Sequence, residues 1–229
     1  MKAAVLNTSS LPHSFLIRDE PIPEPKGNEV LIRVRASCLS HADKEMINGN
    51  MQKTMKRLHK RSNVVTGIEF SGIVETDGTK FKRGQPVVAA IDYTSGVHAH
   101  AEYMVVPEKY LGPKPTAWTH EESAAVPTGL ITAIEALEKQ ARIEEGESVL
   151  IHGASGGVGV YAVQLANYHK CNVAATASRV NLDFVKGLGA DEAYDYNDDF
   201  LRDKKFNVIF DAAGMLNFKA CKDALAPKG

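Results

Sequence analysis

Four glycines in the second half of the chain have the spacing of a phosphate-binding turn. They are Gly153, Gly156, Gly157 and Gly159, and they follow the short apolar run Val149–Ile151. An apolar pattern of helical period begins directly after them. Glycines let a backbone turn sharply and come close to a pyrophosphate, whose charge is stabilised by the free amides of a helix N-terminus. The segment therefore predicts a dinucleotide-binding strand, turn and helix, with an ordinary strand-to-helix turn as the alternative.

The end of the next predicted strand bears on which dinucleotide binds. In the dinucleotide fold an acid at this point accepts from the ribose 2′-hydroxyl of NAD, whereas a basic or hydroxyl side chain suits the 2′-phosphate of NADP. Here the strand ends in Ser178 and Arg179, and no carboxylate follows until Asp183. A hydroxyl and a guanidinium both match a phosphate. The sequence therefore favours NADPH as cofactor; the alternative is that Arg179 is a solvated loop residue.

The spacing of the other reactive side chains does not indicate a metal site or a catalytic triad. The side chains that could be drawn into a zinc set are Cys38, His41, His59 and Glu69, but their spacing does not support a site, and we expect no metal. No strong Ser-His-Asp, Cys-His or paired-carboxylate arrangement is present. The basic run over residues 53–61 lacks interleaved aromatics and is interpreted as a solvated face. His98 and His100 are interpreted as surface histidines rather than as lining a cleft.

Composition narrows the class of protein. With 229 residues, 44% of them hydrophobic, the chain can bury a core in one large or two modest domains. A net charge of -1 gives no reason to expect a nucleic acid or an anionic membrane as partner. No apolar run is long enough to span a bilayer, and the N-terminus is typical of a strand rather than a signal peptide. Three cysteines without a Cys-x-x-Cys pair suit a reducing, cytoplasmic location.

The pattern of elements changes along the chain. The strands predicted in the first half cover residues 29–39, 70–76, 86–91 and 101–106, which together favour a compact antiparallel barrel. A capping box, Thr119 with Glu122, then opens a short helix, and a second helix is predicted over 128–140. Strands at 148–152, 172–177, 192–195 and 206–210 alternate with helices at 157–169 and 181–188, which predicts a parallel sheet. We place the domain boundary near residue 115, giving domains 1–115 and 116–229.

Several segments in order resemble one known family. Residues 153–166 are similar to the cofactor loop of the zinc-free quinone oxidoreductase (zeta-crystallin-like) branch of the medium-chain dehydrogenases/reductases. Segments that fit the same family lie at 67–74, 100–107, 122–133, 181–191 and 210–214. The resemblance covers essentially the whole chain. It implies an α/β fold with a GroES-like β-barrel domain followed by a Rossmann doubly wound sheet, and an active site in the cleft between them.

The resemblance also implies which residues meet the cofactor. Those that hold the pyrophosphate through backbone amides are Ser155, Gly156, Gly157, Val158 and Gly159. Those that meet the 2′-phosphate are Ser178, Arg179 and Tyr196, although Tyr196 also fits a surface tyrosine at a strand end. Those beside the nicotinamide are Thr128 and Thr132. The stretch Asp211–Gly214, with Ala212 and Ala213, is implied to pass near the nicotinamide ribose.

The chain departs from the family at a few positions. Zinc-dependent members have a cysteine where this chain has Ser40 and a histidine where it has Ile68, so two zinc ligands are missing. Zinc-free members usually have an Asn-Pro pair at Ser40-His41, which leaves Ser40 as a weaker polar contact with the substrate. Lys170-Cys171 stands where a glycine usually ends the helix.

The resemblance implies an NADPH-dependent oxidoreductase that passes hydride to a quinone or an α,β-unsaturated carbonyl, with no single general acid assigned. Two alternatives stay open: a nucleotide-binding protein without turnover, of crystallin-like or regulatory use, and a zinc-free alcohol or enoyl-thioester reductase. Relatives continue beyond the fourth Rossmann strand, where this sequence stops. We therefore expect that the chain either self-associates as a homodimer through an exposed sheet edge or is less stable than its relatives. We also expect low catalytic turnover.

Overall fold

The computed structural model describes residues 1–7, 9, 11–50, 64–91, 98–227 and 229. By internal contacts the chain divides into two compact units, Met1–Pro127 and Thr128–Gly229. Within the described ranges, no helix combines the length and the apolar character that crossing a membrane requires.

The first unit is built from antiparallel strands. They are β1 (Lys2–Asn7), β2 (Ser14–Asp19), β3 (Glu29–Ser37), β4 (Val64–Val65), β5 (Glu69–Val74), β6 (Pro86–Ala90), β7 (Tyr103–Pro107) and β8 (Gly112–Pro113). They form one sheet in the order β2-β1-β4 and another in the order β7-β3-β5-β6-β8. Among the described residues of this unit, the α-helices are α1 (His41–Ile47) and α2 (His120–Ala124). Strands β3, β5, β6 and β7 confirm the predicted strands, with small shifts at their ends.

Two features of this unit differ from the sequence expectation or add to it. Strand β2 was not predicted, because almost all of its side chains are exposed and it therefore lacks apolar alternation. Helix α2 begins at the predicted capping box, where Thr119 and Glu122 hold each other's backbone amides. It packs on β3 and β5, so by contacts the first unit extends past residue 115. A functional boundary near residue 115 stays a prediction.

A buried carboxylate fixes one loop of this unit. Glu108 accepts from the backbone N–H groups of Thr79 at 3.1 Å, Lys80 at 2.8 Å and Phe81 at 2.8 Å. These bonds, led by the one from Phe81, hold the pKa of Glu108 below its ordinary value of 4.5. The ionised carboxylate therefore stabilises the loop that joins β5 to β6.

The second unit alternates helices and parallel strands. Its helices are α3 (Pro127–Ile134, at the junction), α4 (Gly159–Tyr168), α5 (Leu182–Gly187) and α6 (Phe218–Cys221). Its strands are β9 (Ser148–His152), β10 (Asn172–Ala177), β11 (Glu192–Asp195) and β12 (Val208–Asp211), in the sheet order β11-β10-β9-β12. The predicted parallel sheet is confirmed. The helix predicted over 128–140 is α3 followed by a π-helical segment, Glu135–Ala141.

Parallel pairing brings the carboxyl ends of these strands to one edge of the sheet. In register, His152 lies beside Thr176 and Asp211, and Ala177 lies beside Asp195. The chain order reverses between β9 and β12, because β10 lies on one side of β9 and β12 on the other. Ligands of open α/β sheets bind outside the carboxyl ends at such a reversal. This edge is therefore where the candidate site is expected.

The last described residues return to the sheet. Phe206 lies next to Leu225 in a parallel bridge, with Phe206 N–H donating to the Ala224 carbonyl at 2.8 Å and Ala226 N–H to the Phe206 carbonyl at 2.8 Å. The edge that we expected to be exposed beside residues 206–210 is thus paired at its start. After α4, Lys170 adopts the left-handed conformation with φ 58°, at the position where the resemblance implies a glycine.

Candidate functional site

The glycine turn lies at the carboxyl end of β9, as predicted, and leads into α4. The first bond of the helical ladder runs from Val160 N–H to the Gly156 carbonyl at 3.1 Å. The N–H groups of Gly157, Val158 and Gly159 precede that bond and so have no acceptor in the helical ladder. Three amides at the start of a helix form an anion site, since the helix dipole adds to their charge. The turn therefore fits a pyrophosphate.

The glycines of this turn have different steric roles. A Cβ on Gly157 would have no heavy atom within 4 Å, and one on Gly156 would meet only the Gly153 carbonyl oxygen, at 3.2 Å. A Cβ on Gly159 would clash with that same oxygen and lie 2.6 Å from Ala154 Cα. Gly159 is therefore needed for the packing of α4 on the turn. Gly157 therefore leaves open space that a phosphate can occupy, whereas a Cβ on Gly156 would be crowded by that oxygen.

Ser178 and Arg179 lie directly after β10, on the predicted edge. Ser178 is half-buried, and the side chain of Arg179 is 76% exposed. Tyr196 follows β11 on the same edge and is 52% exposed. The structure thus brings the residues predicted for the 2′-phosphate to neighbouring strand ends. Their direct role in binding stays a prediction.

An acid that the sequence analysis missed contacts Arg179. Asp195, the last residue of β11, accepts from Arg179 Nε at 3.1 Å through Oδ2. Its Oδ1 accepts from Asn197 N–H at 3.0 Å and from Asn197 Nδ2 at 2.9 Å. These bonds lower the pKa of Asp195, the largest cause being the Asn197 backbone, and the ion pair raises the pKa of Arg179. The pair is fully ionised at neutral pH.

A second missed residue links the two predicted parts of the nucleotide site. Asn181 Nδ2 lies 3.1 Å from Ser178 Oγ and 3.4 Å from Ser155 Oγ. Ser155 belongs to the glycine turn, and Ser178 follows the neighbouring strand. Asn181 therefore connects the pyrophosphate turn with the ribose end by donating to both hydroxyls, which leaves the two serine protons available for other acceptors.

Helix α3 carries Thr128 and Thr132 one turn apart. Thr132 Oγ1 donates to the Thr128 carbonyl at 2.7 Å. Gly129, between them, faces the glycine turn: a Cβ there would clash with the Gly157 carbonyl oxygen and lie 2.6 Å from the Tyr161 ring. The absence of a side chain on Gly129 thus lets α3 pack directly against the turn. Gly129 was not among the residues predicted from the sequence.

The loop after β12 is organised by Asp211. Its carboxylate accepts from the N–H groups of Ala213 at 3.1 Å, Gly214 at 2.9 Å and Leu216 at 2.6 Å. Ala212 N–H donates to the His152 carbonyl at 3.0 Å. A Cβ on Gly153 would lie 2.9 Å from Ala213 Cβ. The predicted residues Ala212 and Ala213 therefore lie against the start of the glycine turn.

His152, at the base of the turn, is a buried histidine that the sequence analysis did not consider. Its Nδ1 lies 2.7 Å from Thr176 Oγ1, which also accepts from Gly153 N–H at 3.2 Å. The imidazole stacks on Phe200 with ring centroids 5.3 Å apart. Burial lowers the pKa of His152, so the ring is neutral at neutral pH. Through Thr176, the His152 ring therefore stabilises the first residue of the glycine turn, Gly153.

In the first unit, Ser40 caps the N-terminus of α1. Its hydroxyl donates to Asp43 Oδ2 at 2.7 Å, and its oxygen accepts from Asp43 N–H at 3.4 Å. Asp43 is 1% exposed, and within the described part of the chain its Oδ1 has no hydrogen-bond partner. A substrate oxygen would have to compete with Asp43 for the single hydroxyl proton of Ser40.

The residues considered for zinc do not form a site among those the structure describes. No group of three or more His, Cys, Asp or Glu side chains in these ranges is arranged to hold a metal ion. Burial, with the charges of Glu69 and Asp43, raises the pKa of Cys38, which keeps the thiol protonated. His41 Nε2 lies 3.8 Å from Glu45 Oε1, one turn further along α1. His59 and the basic run over 53–61 lie outside the described residues.

Two other histidine contacts are structural. His120 Nδ1 lies 2.7 Å from Ser71 Oγ, but Ser71 is fully buried and donates its proton to the Val87 carbonyl at 3.0 Å. The histidine must therefore donate to the serine, which is the reverse of a nucleophile and its base. His100 is half-buried and bonds Thr66 Oγ1 at 2.8 Å and the Cys38 carbonyl at 3.1 Å, so its interpretation as a surface histidine was wrong.

Comparisons with known proteins agree with this geometry. Residues 26–116 match the family model for the alcohol dehydrogenase GroES-like domain, and residues 157–229 match the model for zinc-binding dehydrogenase. A Coxiella burnetii quinone oxidoreductase of known structure is 30% identical, with a TM-score of 0.89, over 100% of this chain and 74% of that one.

Curated relatives carry related names. A chloroplastic quinone-oxidoreductase homolog from Spinacia oleracea is 38% identical over 76% of this chain and 54% of its own length. A chloroplastic NADPH-dependent alkenal/one oxidoreductase from Arabidopsis thaliana is 35% identical over 88% of this chain and 54% of its own length. The chain thus spans about half the length of these relatives. It belongs to the medium-chain dehydrogenase/reductase superfamily, among the quinone oxidoreductases.

Proposed function

We propose that this chain binds NADPH and acts in an oxidoreductase that passes hydride to a quinone or an α,β-unsaturated carbonyl. The observation that carries the proposal is the open glycine turn at the reversal of a parallel sheet, with a serine and an arginine at the end of the neighbouring strand. The names of the relatives support the quinone and enone classes. When bound, NADPH supplies the hydride.

The glycine turn would hold the pyrophosphate. The N–H groups of Gly157, Val158 and Gly159 point out of the helix start and donate to phosphate oxygens. Gly156 and Gly157 have no side chains, so the phosphates can approach the backbone closely. Ser155 Oγ accepts from Asn181 and keeps its own proton for a phosphate oxygen.

The 2′-phosphate would lie between Ser178 and Arg179. Ser178 accepts from Asn181, which leaves its hydroxyl proton to donate to the phosphate. The terminal nitrogens of Arg179 supply charge-assisted bonds, and Tyr196 is the third proposed contact. NADH has no 2′-phosphate and would lose these bonds. The preference for NADPH follows from that difference.

At the nicotinamide end, the proposed contacts are Thr128, Thr132, Ala212 and Ala213. The proton of Thr132 is committed to the Thr128 carbonyl, so Thr132 Oγ1 can serve as an acceptor for an amide N–H. Ser40 is the proposed polar contact with the substrate. Because Ser40 gives its proton to Asp43, this residue orients the substrate as an acceptor more readily than as a proton donor.

The test is an assay of NADPH oxidation with a panel of quinones, enones and enoyl thioesters, together with a separate titration of NADPH binding. We expect binding tighter for NADPH than for NADH, and turnover with quinones or enones. NADPH binding without turnover on any acceptor would favour the non-catalytic alternative. Turnover confined to thioesters would favour an enoyl-thioester reductase. A cytoplasmic location and a homodimer stay predictions.

A further inference from the structure

We infer that Asp195 is a positioning residue that holds Arg179 for the 2′-phosphate and thereby sets the preference for NADPH over NADH. This inference rests on the proposed function. It names a residue that the sequence analysis did not assign, one that would act on the cofactor only through another side chain.

The register of the sheet places Asp195 for this task. Asp195 ends β11 directly beside Ala177, which ends β10, and Tyr196 N–H donates to the Ala177 carbonyl at 3.1 Å. Arg179 follows β10 by two residues and so starts next to the carboxylate. The Asp195 side chain is only 6% exposed, whereas that of Arg179 is 76% exposed. A buried acid thus holds the Nε atom of a solvent-exposed side chain.

In the Arg179 guanidinium, Nε is bound to the protein, whereas the two terminal nitrogens face solvent-accessible space as available donors. Nε is bound to Asp195 at 3.1 Å, so the remaining donors are on the terminal nitrogens. Nη2 lies 4.0 Å from Asp198 Oδ1, which is beyond hydrogen-bond distance. The Nε bond therefore positions the terminal nitrogens while their N–H groups stay available to a phosphate. Asn197 occupies the other Asp195 oxygen, so the carboxylate cannot easily rotate away.

Two physical effects of Asp195 have opposite signs. As a negative charge near the phosphate, it would weaken NADPH binding, and removing it would strengthen binding. As a holder of Arg179, it lowers the conformational entropy that this side chain loses when it binds, so removing it would weaken binding. The inference requires the second effect to be larger. Asp198, which is exposed and does not hold Nε, exerts only the first effect.

The experiment compares Asp195→Asn with the matched control Asp198→Asn by fluorescence titration of NADPH and NADH. We expect Asp195→Asn to raise the Kd for NADPH about threefold to tenfold, the effect of having to order one arginine side chain on binding. The Kd for NADH should change little. Asp198→Asn should leave NADPH binding unchanged or strengthen it. In an Arg179→Ala background only the charge effect of Asp195 remains, so Asp195→Asn should leave the Kd for NADPH unchanged or lower it, and should not raise it.

Arg179→Lys provides a second test that does not disturb the buried acid. A lysine carries its three donors on one nitrogen, so it cannot hold Asp195 through one nitrogen while two others meet the phosphate side by side, and it should lose most of the preference. NADPH binding by Asp195→Asn or Arg179→Lys as tight as in the parent would overturn the inference while leaving the proposed function intact. A parent chain without a preference for NADPH would instead contradict the proposed cofactor, and the inference with it.

Discussion

Replacement of Gly157 by alanine separates nucleotide binding from folding more cleanly than any other change in the turn. No atom lies within 4 Å of the added Cβ, and the glycine is not in the left-handed region. The same change at Gly159 would place Cβ against the Gly153 carbonyl oxygen and 2.6 Å from Ala154 Cα. Gly156 is a less clean probe, because its Cβ would lie 3.2 Å from that oxygen.

The two variants should therefore differ in what they lose. Gly157→Ala should keep the free energy of unfolding within about 0.5 kcal/mol of the parent, as for a surface change without contacts. If its Cβ displaces a phosphate from one amide, the loss of about 1.5–3 kcal/mol weakens NADPH binding by roughly 10- to 100-fold. Gly159→Ala should cost about 1–3 kcal/mol of stability, because only backbone can move to make room.

The assay pairs thermal melting with NADPH titration on the parent and both variants. At about 2–4 °C per kcal/mol for a chain of this size, Gly159→Ala should lower Tm by several degrees, and Gly157→Ala should not. Unchanged NADPH affinity in Gly157→Ala would show that the pyrophosphate does not approach this glycine. A fall in Tm as large as that of Gly159→Ala would refute the steric reasoning.

Three further predictions concern the metal, the pH dependence and the helix end. Elemental analysis should find no stoichiometric zinc, since Ser40 and Ile68 replace two family ligands; about one zinc per chain would contradict this. Because the pKa of Glu108 is lowered in the folded chain, its ionised carboxylate contributes to the free energy of unfolding above about pH 4.5, its ordinary pKa. This contribution is lost as the pH falls through the folded pKa. The Tm difference between the parent and Glu108→Gln should therefore shrink in acid, and a constant difference would count against it. Lys170→Gly should raise the free energy of unfolding by about 1 kcal/mol, measured by urea denaturation, because φ 58° favours glycine; a loss would show that Lys170 contacts outweigh the strain.

The parts of the fold that depend on local pattern could be predicted from sequence. The run Val149–Ile151 is fully buried in β9, as its apolar character indicates, and the capping box at Thr119 opens α2. The four parallel strands follow from the alternation of apolar runs with helical periods. Strand β2 was missed because its exposed residues carry no such pattern.

The parts of the site that depend on pairing between strands could not be predicted in the same way. Asp195 meets Arg179 only because β10 and β11 align in parallel with Ala177 beside Asp195. Asp195 directly precedes Tyr196, which the sequence analysis assigned, but the sequence does not show the register that places Asp195 beside Ala177. Asn181 likewise joins Ser155 to Ser178 across two loops that only the fold brings together. Ser40 and Asp43 have the spacing of a capping box, which the structure shows, whereas the sequence prediction assigned Ser40 only to a substrate contact.

The most direct test of the central claim is a crystal structure of the chain with NADP⁺ bound. We predict that the pyrophosphate lies against the amides of Gly157 and Val158, and that the 2′-phosphate lies within hydrogen-bond distance of Ser178 Oγ and the terminal nitrogens of Arg179. A nucleotide bound away from the glycine turn, or a 2′-phosphate that touches neither Ser178 nor Arg179, would contradict the account.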